Sequence, residues 1–162
     1  VMKNVYYAFV HSHILYGIEL YANTFSTYID RLIKLNNKIL RILLNQSRFC
    51  SVNKLHTSFN TLSIPVMHKR QILMLVHNTL YHSSSLPDVF ANYFTLNSSV
   101  HTYSTRSHSD IHIYRAYTSF GQRSVTYKGG ILWNSLPSDL KCIHLSVQFK
   151  SKLSHLFQTL LH

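Results

Sequence analysis

Acidic side chains are the scarcest chemistry in this sequence: 5 Asp and Glu stand against 16 Lys and Arg in 162 residues. Glu19, Asp30, Asp88, Asp110 and Asp139 are each isolated, with no Asp-Asp pair and no carboxylate cluster at helical spacing. Two-metal phosphoryl transfer needs closely placed carboxylates to ligate both ions, so a catalytic centre of that kind is excluded. Glycine is equally scarce. Its 4 residues leave no phosphate-cradling loop and no Gly-x-Ser-x-Gly turn to present a nucleophile. With only 3 Pro beside them, they are too few for a turn-dense β-sandwich, which favours helix. Two cysteines, Cys50 and Cys142, cannot make a disulfide framework and read as idle thiols in a reducing compartment. No stretch supplies the roughly 20 continuous apolar residues of a membrane span. The opening Val1-Met2-Lys3-Asn4 has no signal-peptide layout and runs at once into a helical pattern, which reads as a piece of something longer.

What the sequence has in excess is positive charge. The formal net charge is +11 before any of the 12 His is counted, and such an imbalance points to a polyanionic partner. The histidines are spread evenly rather than paired at the tight spacing of structural zinc motifs, so no metal ligand set is assigned. Hydrophobic residues make up 46% of the chain, ample for a core at this length.

Hydrophobic periodicity predicts the elements. Residues 4–22 carry apolar positions at three- and four-residue steps and read as a first helix, with Ser26 or Thr27 capping the next. Residues 28–45 give the clearest helix. Tyr28, Leu32, Leu35, Ile39, Ile42 and Leu43 share one broad apolar face, and Arg31, Lys34, Lys38 and Arg41 fall within about a quarter turn on the other side. Helices over 53–60 and 66–82 follow, the second with Pro65 in its first turn. Ser83-Ser84-Ser85-Leu86-Pro87 marks an interior boundary, and 88–96 one more short helix. Over 97–130, Ser, Thr, Tyr and His alternate with Ile and Val, which predicts irregular structure with a few short strands. A short helix at 131–135 should stop at Pro137, with Ser138 capping another turn. A last helix over 146–161 places Phe149, Leu153, Leu156, Phe157 and Leu160 on one face. The expected fold is mainly α: antiparallel helices, then an irregular segment with short strands, then a closing C-terminal helix. Residues 1–82 form the helical domain and 83–162 a C-terminal segment packed on it.

Basic residues interleaved with aromatics are the constellation that survives these exclusions. Lys and Arg supply phosphate contacts, and aromatic or guanidinium planes can stack on bases. Arg31, Lys34, Lys38 and Arg41 lead the candidates, followed by Arg48, Lys69 and Arg70, then Arg106, Arg115, Arg123 and Lys128. No catalytic and no metal-binding residue is assigned. Trp133 is expected to anchor the tail segment in the core rather than to stack on a base.

Several motifs recur in a recognisable order. His13, Tyr16 and Gly17 lie near the start; Tyr103, Thr105-Arg106 and Tyr127-Lys128-Gly129 precede Trp133-Asn134-Ser135-Leu136-Pro137; Phe149-Lys150 follows in an amphipathic tail. This order resembles the C-terminal part of reverse transcriptases of non-LTR retrotransposons (LINE-type, jockey-like elements), over residues 6–157. The resemblance implies thumb helices that grip a template–primer, with Tyr16, Gly17, Trp133, Pro137 and Phe149 as structural anchors. It implies RNA or an RNA–DNA hybrid as partner, together with the palm and fingers of a parent polyprotein lying upstream. Mg²⁺ belongs to that palm and not to this chain. The setting it implies is intracellular, cytoplasmic or nuclear, away from membranes. Three positions depart from the family pattern: Tyr21-Ala22 replaces Trp-Gly, Asn36 replaces Gln after Leu35, and Gly130 replaces a turn proline. They mark a diverged or decayed copy. The alternative is a helical interaction module that docks on the missing palm, its charge incidental.

Overall fold

The computed structural model describes residues 2–90, 92–102 and 106–159, and these are mainly helical, as the periodicity predicts. The chain divides into two compact units: residues 1–68 with 157–162, and residues 69–156.

The first unit opens with α1 (Met2–Val5), a π-helical turn over Tyr6–His11, and α2 (Ser12–Leu15). The single helix predicted for 4–22 is broken after α2. Tyr16 is extended and Gly17 turns left-handed at φ 65° before α3 (Ile18–Tyr21) resumes. Glycine takes that conformation without a Cβ clash, so one residue re-aims the chain. Helix α4 (Ser26–Leu43) follows, with Phe25 at its N-cap; Ser26 and Thr27 lie inside the helix and do not cap it. Next come α5 (Val52–Phe59), closed by Asn60 at φ 55°, and the start of α6 (Ile64–Tyr81), with Pro65 in the first turn.

Among the described residues, two clusters of buried side chains lie in this unit. One gathers Ile14, Ile18, Ala22, Leu62, Ile64 and Met67; the other joins Tyr6, Leu40 and Phe59. Helix α4 buries only one edge of the broad apolar face: Leu32, Ile39 and Leu43 pack against the core clusters. Asn36, Asn37 and Leu40 are buried, whereas Tyr28, Leu35 and Ile42 are exposed. Two long-range hydrogen bonds explain the choice. The Tyr6 hydroxyl donates to Asn36 Oδ1 at 2.9 Å, and His56 Nε2 lies 3.2 Å from Asn37 Oδ1. Buried polar groups are retained when partnered, and here the partners come from three separate helical segments.

The second unit contains the remainder of α6, 3₁₀ turns at Ser83–Ser85 and Asp88–Phe90, and α7 (Asn97–Val100). It continues with α8 (Ser119–Arg123), α9 (Val125–Asn134), α10 (Ser138–Lys141) and most of α11 (Ser146–Thr159). The short helix expected at 88–96 is reduced to the second 3₁₀ turn. Among the described residues no strand forms; Leu96 and Ile111 make one isolated antiparallel bridge instead. The helix expected to begin at Ile131 begins at Val125, because the Ser124 hydroxyl accepts the Tyr127 amide at 3.2 Å as an N-cap. Ser138 starts α10 without capping it; Pro137 holds that position.

The Trp133-Asn134-Ser135-Leu136-Pro137 segment now has a physical account. Trp133 is buried against Phe149 and Tyr81, with ring centroids 5.8 and 6.3 Å away. Asn134 pairs with both backbone groups of Ile111, each at 2.9 Å, and thereby tethers the irregular segment. Leu136 is buried and Pro137 leads into α10. Buried His77 stacks on Phe149 at 4.3 Å and reaches the Ile143 carbonyl at 2.7 Å. Tyr81 donates to the Lys141 carbonyl at 2.6 Å, and His82 lies 2.8 Å from that of His144. Two α6 side chains and His82 just beyond the helix thus satisfy carbonyls at the end of α10 and in the turn before α11.

Candidate nucleic-acid interface

Helix α4 holds the leading candidates because its charged positions fall away from the buried Asn36–Asn37–Leu40 face. Arg31, Lys34 and Lys38 are exposed and make no hydrogen bond or ion pair among the described residues. Spaced at three and four residues, they share one side of the helix over about 10 Å at 1.5 Å rise per residue. Arg41 is set apart from them. It is half-buried, and its Nη2 donates to the Cys50 carbonyl at 3.3 Å, securing the link from α4 to α5. Adjoining the cations runs an exposed apolar row of Tyr28, Leu35 and Ile42 at seven-residue spacing, which keeps nearly one angular position.

The other predicted residues divide by burial. Arg48 is exposed with its guanidinium 4.8 Å over the exposed Phe49 ring, and Lys69 is exposed. Arg70 is half-buried: Nη1 donates to Ser154 Oγ at 3.4 Å, and burial pulls its pKa down from the ordinary value. That position gives it a structural bond within the second unit. Arg106 is exposed in a turn. Tyr103 and Thr105 lie outside the described residues, as does Leu160.

Among the expected anchors, Trp133 and Phe149 are buried and Gly17 supplies the left-handed turn. Pro137, though exposed, fixes the entry to α10. Tyr16 is a correction. It is 86% exposed, an extended residue outside both helices where α2 ends before the Gly17 turn. Phe9 is exposed too.

Sequence reasoning missed a second concentration of exposed rings. Tyr114, Tyr117 and Phe120 are 67%, 83% and 80% exposed, and the Arg115 guanidinium lies 5.9 Å from the Tyr117 ring centre. They fall at three-residue steps in a stretch read as irregular, where no periodicity says which side chains face outward. Buried histidines were missed as well. Desolvation lowers the pKa of both His56 and His77, so both favour the neutral imidazole.

Positive charge elsewhere is partly committed. Lys141 pairs with Asp110 at 3.0 Å and donates to the Asn134 carbonyl at 3.1 Å. Lys128 is half-buried, and desolvation followed by repulsion from Arg123 lowers its pKa. Cys50 and Cys142 are free thiols. Among the described residues no three His, Cys, Asp or Glu side chains could together hold a metal ion, and no helix is long and apolar enough to cross a membrane. Comparison with protein-family models, curated proteins and solved structures finds no match to this chain.

Proposed function

We propose that this chain is a non-catalytic C-terminal portion of an RNA-directed DNA polymerase of a mobile element, with α4 gripping the template–primer. The motif order that resembles LINE-type reverse transcriptases supports the parentage. The observation that carries the gripping role is the exposure of Arg31, Lys34 and Lys38 on one side of α4 without an acidic partner among the described residues. Cations so placed can neutralise successive phosphates and release their counterions, which gives affinity without reading sequence. Chemistry would occur on the upstream palm, where paired carboxylates and Mg²⁺ would reside; this chain's part is to position the duplex.

The test is a salt series on RNA and RNA–DNA duplexes, comparing the parent chain with an Arg31→Gln, Lys34→Gln, Lys38→Gln variant. Each lost phosphate contact should flatten the slope of log affinity against log salt by about 0.9. Three contacts would remove between two and three units of slope, alike for every sequence. A variant that binds as tightly as the parent with the same slope would reduce the stripe to a solvated face.

The exposed row of Tyr28, Leu35 and Ile42 favours a second reading, in which α4 docks on the palm through an apolar face. Docking of that kind would be nearly indifferent to salt and would fail on Leu35→Asp while surviving the triple Gln change. The charge excess over the whole chain makes phosphate gripping the primary reading.

A further inference from the structure

Within the second unit, a cavity of about 180 Å³ opens between the irregular segment and the start of α9. Its main lining residues are Tyr93, Phe94, His112, Tyr114, Arg115 and Tyr127. No Asp or Glu lines it. Phe94 is buried at its base, and His112 stands edge-on to Tyr114 at 4.6 Å, with Nδ1 held 3.0 Å from Asn97 Oδ1. Thr95 also lines the cavity, and its buried hydroxyl has no hydrogen-bond partner among the described residues. From Tyr114 the chain continues through Arg115, Tyr117 and Phe120, all exposed.

Three exposed rings within seven residues, beside an arginine and a ring-lined cavity, set stacking surfaces close together along the chain. The cavity is smaller than the roughly 300–1,000 Å³ of drug-sized sites; it has room for a single planar group. Aromatic faces, a guanidinium and an unpartnered hydroxyl suit a heteroaromatic ring carried on an anionic chain. A duplex conceals its base faces, whereas a single strand can splay one base out for stacking. The overall +11 charge matches a polyanion rather than a neutral or cationic ligand.

We propose that this cavity, with Tyr114, Tyr117 and Phe120 beside it, is a base-stacking site for single-stranded RNA or DNA. It rests on the reading that the chain binds nucleic acid and adds a preference for unpaired bases that α4 does not supply. Phosphate contacts hold the strand, and the rings hold its bases.

The experiment uses the full chain and two fluorescent strands of equal length and charge, one carrying bases and one abasic. The parent should bind the base-bearing strand more tightly. A Tyr114→Ala, Tyr117→Ala variant should lose about 5-fold or more in affinity for that strand, at about 1–3 kcal/mol per stacked base, while abasic binding stays unchanged. Phenylalanine at both positions should restore the preference. Because both side chains are exposed, the alanine variant should fold, and its circular dichroism should match the parent's. The Arg31, Lys34, Lys38 to Gln variant should instead weaken both strands in proportion. A parent that binds both strands equally overturns the stacking site while leaving phosphate gripping intact, as does an alanine variant that keeps the preference. Adenosine monophosphate that competes as well as the strand would also overturn the proposal, by making the cavity a free-nucleotide pocket. A parent that binds neither strand overturns the nucleic-acid reading and the stacking site together.

Discussion

Substituting Gly129 by alanine sets two physical effects against each other, and the geometry decides which wins. Gly129 is buried inside α9. In an exposed helix interior the change to alanine stabilises by about 1 kcal/mol, since glycine costs backbone entropy. Here the added Cβ would lie 2.7 and 2.8 Å from Phe94 ring carbons and 3.0 Å from Val76 Cγ2. Comfortable carbon–carbon separations are about 3.5–4.0 Å, so the ring or the helix must withdraw by close to an ångström. Phe94 and Val76 are both buried, although Phe94 also borders the cavity of about 180 Å³, which sets how far the ring can retreat. Overpacking of this kind costs about 1–3 kcal/mol. The net expectation is a loss of up to about 2 kcal/mol, opposite in sign to helix propensity. Urea denaturation reads it as a lowered midpoint at unchanged slope. Gly130→Ala provides the internal comparison. Its nearest contact is 3.0 Å to Ile113 Cγ1, so it should cost less than Gly129→Ala. A Gly129→Ala chain more stable than the parent would refute the claim that α9 needs this close approach to Phe94.

Removing the Trp133 side chain by Trp133→Ala should cost about 3–5 kcal/mol, and limited proteolysis should then cut between residues 97 and 130 while the α4 region stays protected. Unchanged proteolysis with lost RNA binding would instead make the ring a stacking platform. The lowered pKa values of His56 and His77 predict acid sensitivity. Their contribution is intact above the ordinary value of 6.5 and is lost as pH falls below it through the folded-state values, because only the unfolded chain protonates freely. Urea midpoints measured from pH 7.5 down to 5 should therefore fall, and less steeply in His56→Gln and His77→Gln; parallel slopes would contradict this. Purified with Mg²⁺ or Mn²⁺, the chain should extend no primer on any template, and incorporation that survives removal of contaminating polymerases would overturn the argument from dispersed carboxylates.

The long helices were legible because their signals are local. Pro65 and the apolar repeat place α6, and the last helix begins where the periodicity puts it. What escaped depends on distant partners. Nothing within residues 4–22 says that Gly17 will adopt a left-handed turn rather than sit in a continuous helix. The 97–130 stretch alternates like a strand, but a strand requires a neighbour to pair with. The described chain offers Ile111 only the Leu96 bridge, and its backbone is otherwise satisfied by the Asn134 side chain. Of the candidate site, charge and helical spacing revealed Arg31, Lys34 and Lys38. They could not reveal that Arg41 and Arg70 turn inward, because Cys50 and Ser154 accept their hydrogen bonds from 9 and 84 residues away.

Helix α4 carries the same lesson into function. Counting apolar residues selects the broad face of Tyr28, Leu32, Leu35, Ile39, Ile42 and Leu43 for the core, yet only Leu32, Ile39 and Leu43 pack inward, and the helix buries Asn36 and Asn37 where Tyr28, Leu35 and Ile42 were expected. Turning α4 to bury the broad face would move both amides away from Tyr6 and His56. Each orphaned buried group would then cost about 1–3 kcal/mol. Exposing the apolar row loses at most the transfer energy of side chains that the turned helix would bury, about 1.5–3 kcal/mol apiece. That difference is small enough for polar partners in the core to set the orientation. The consequence is that cations and large apolar side chains share the outward surface of one helix. Such a surface can hold a phosphate backbone with its lysines and arginine, or a protein partner with its aliphatic row. The salt response of the triple Gln variant and of Leu35→Asp separates these uses, because only the first depends on displacing counterions.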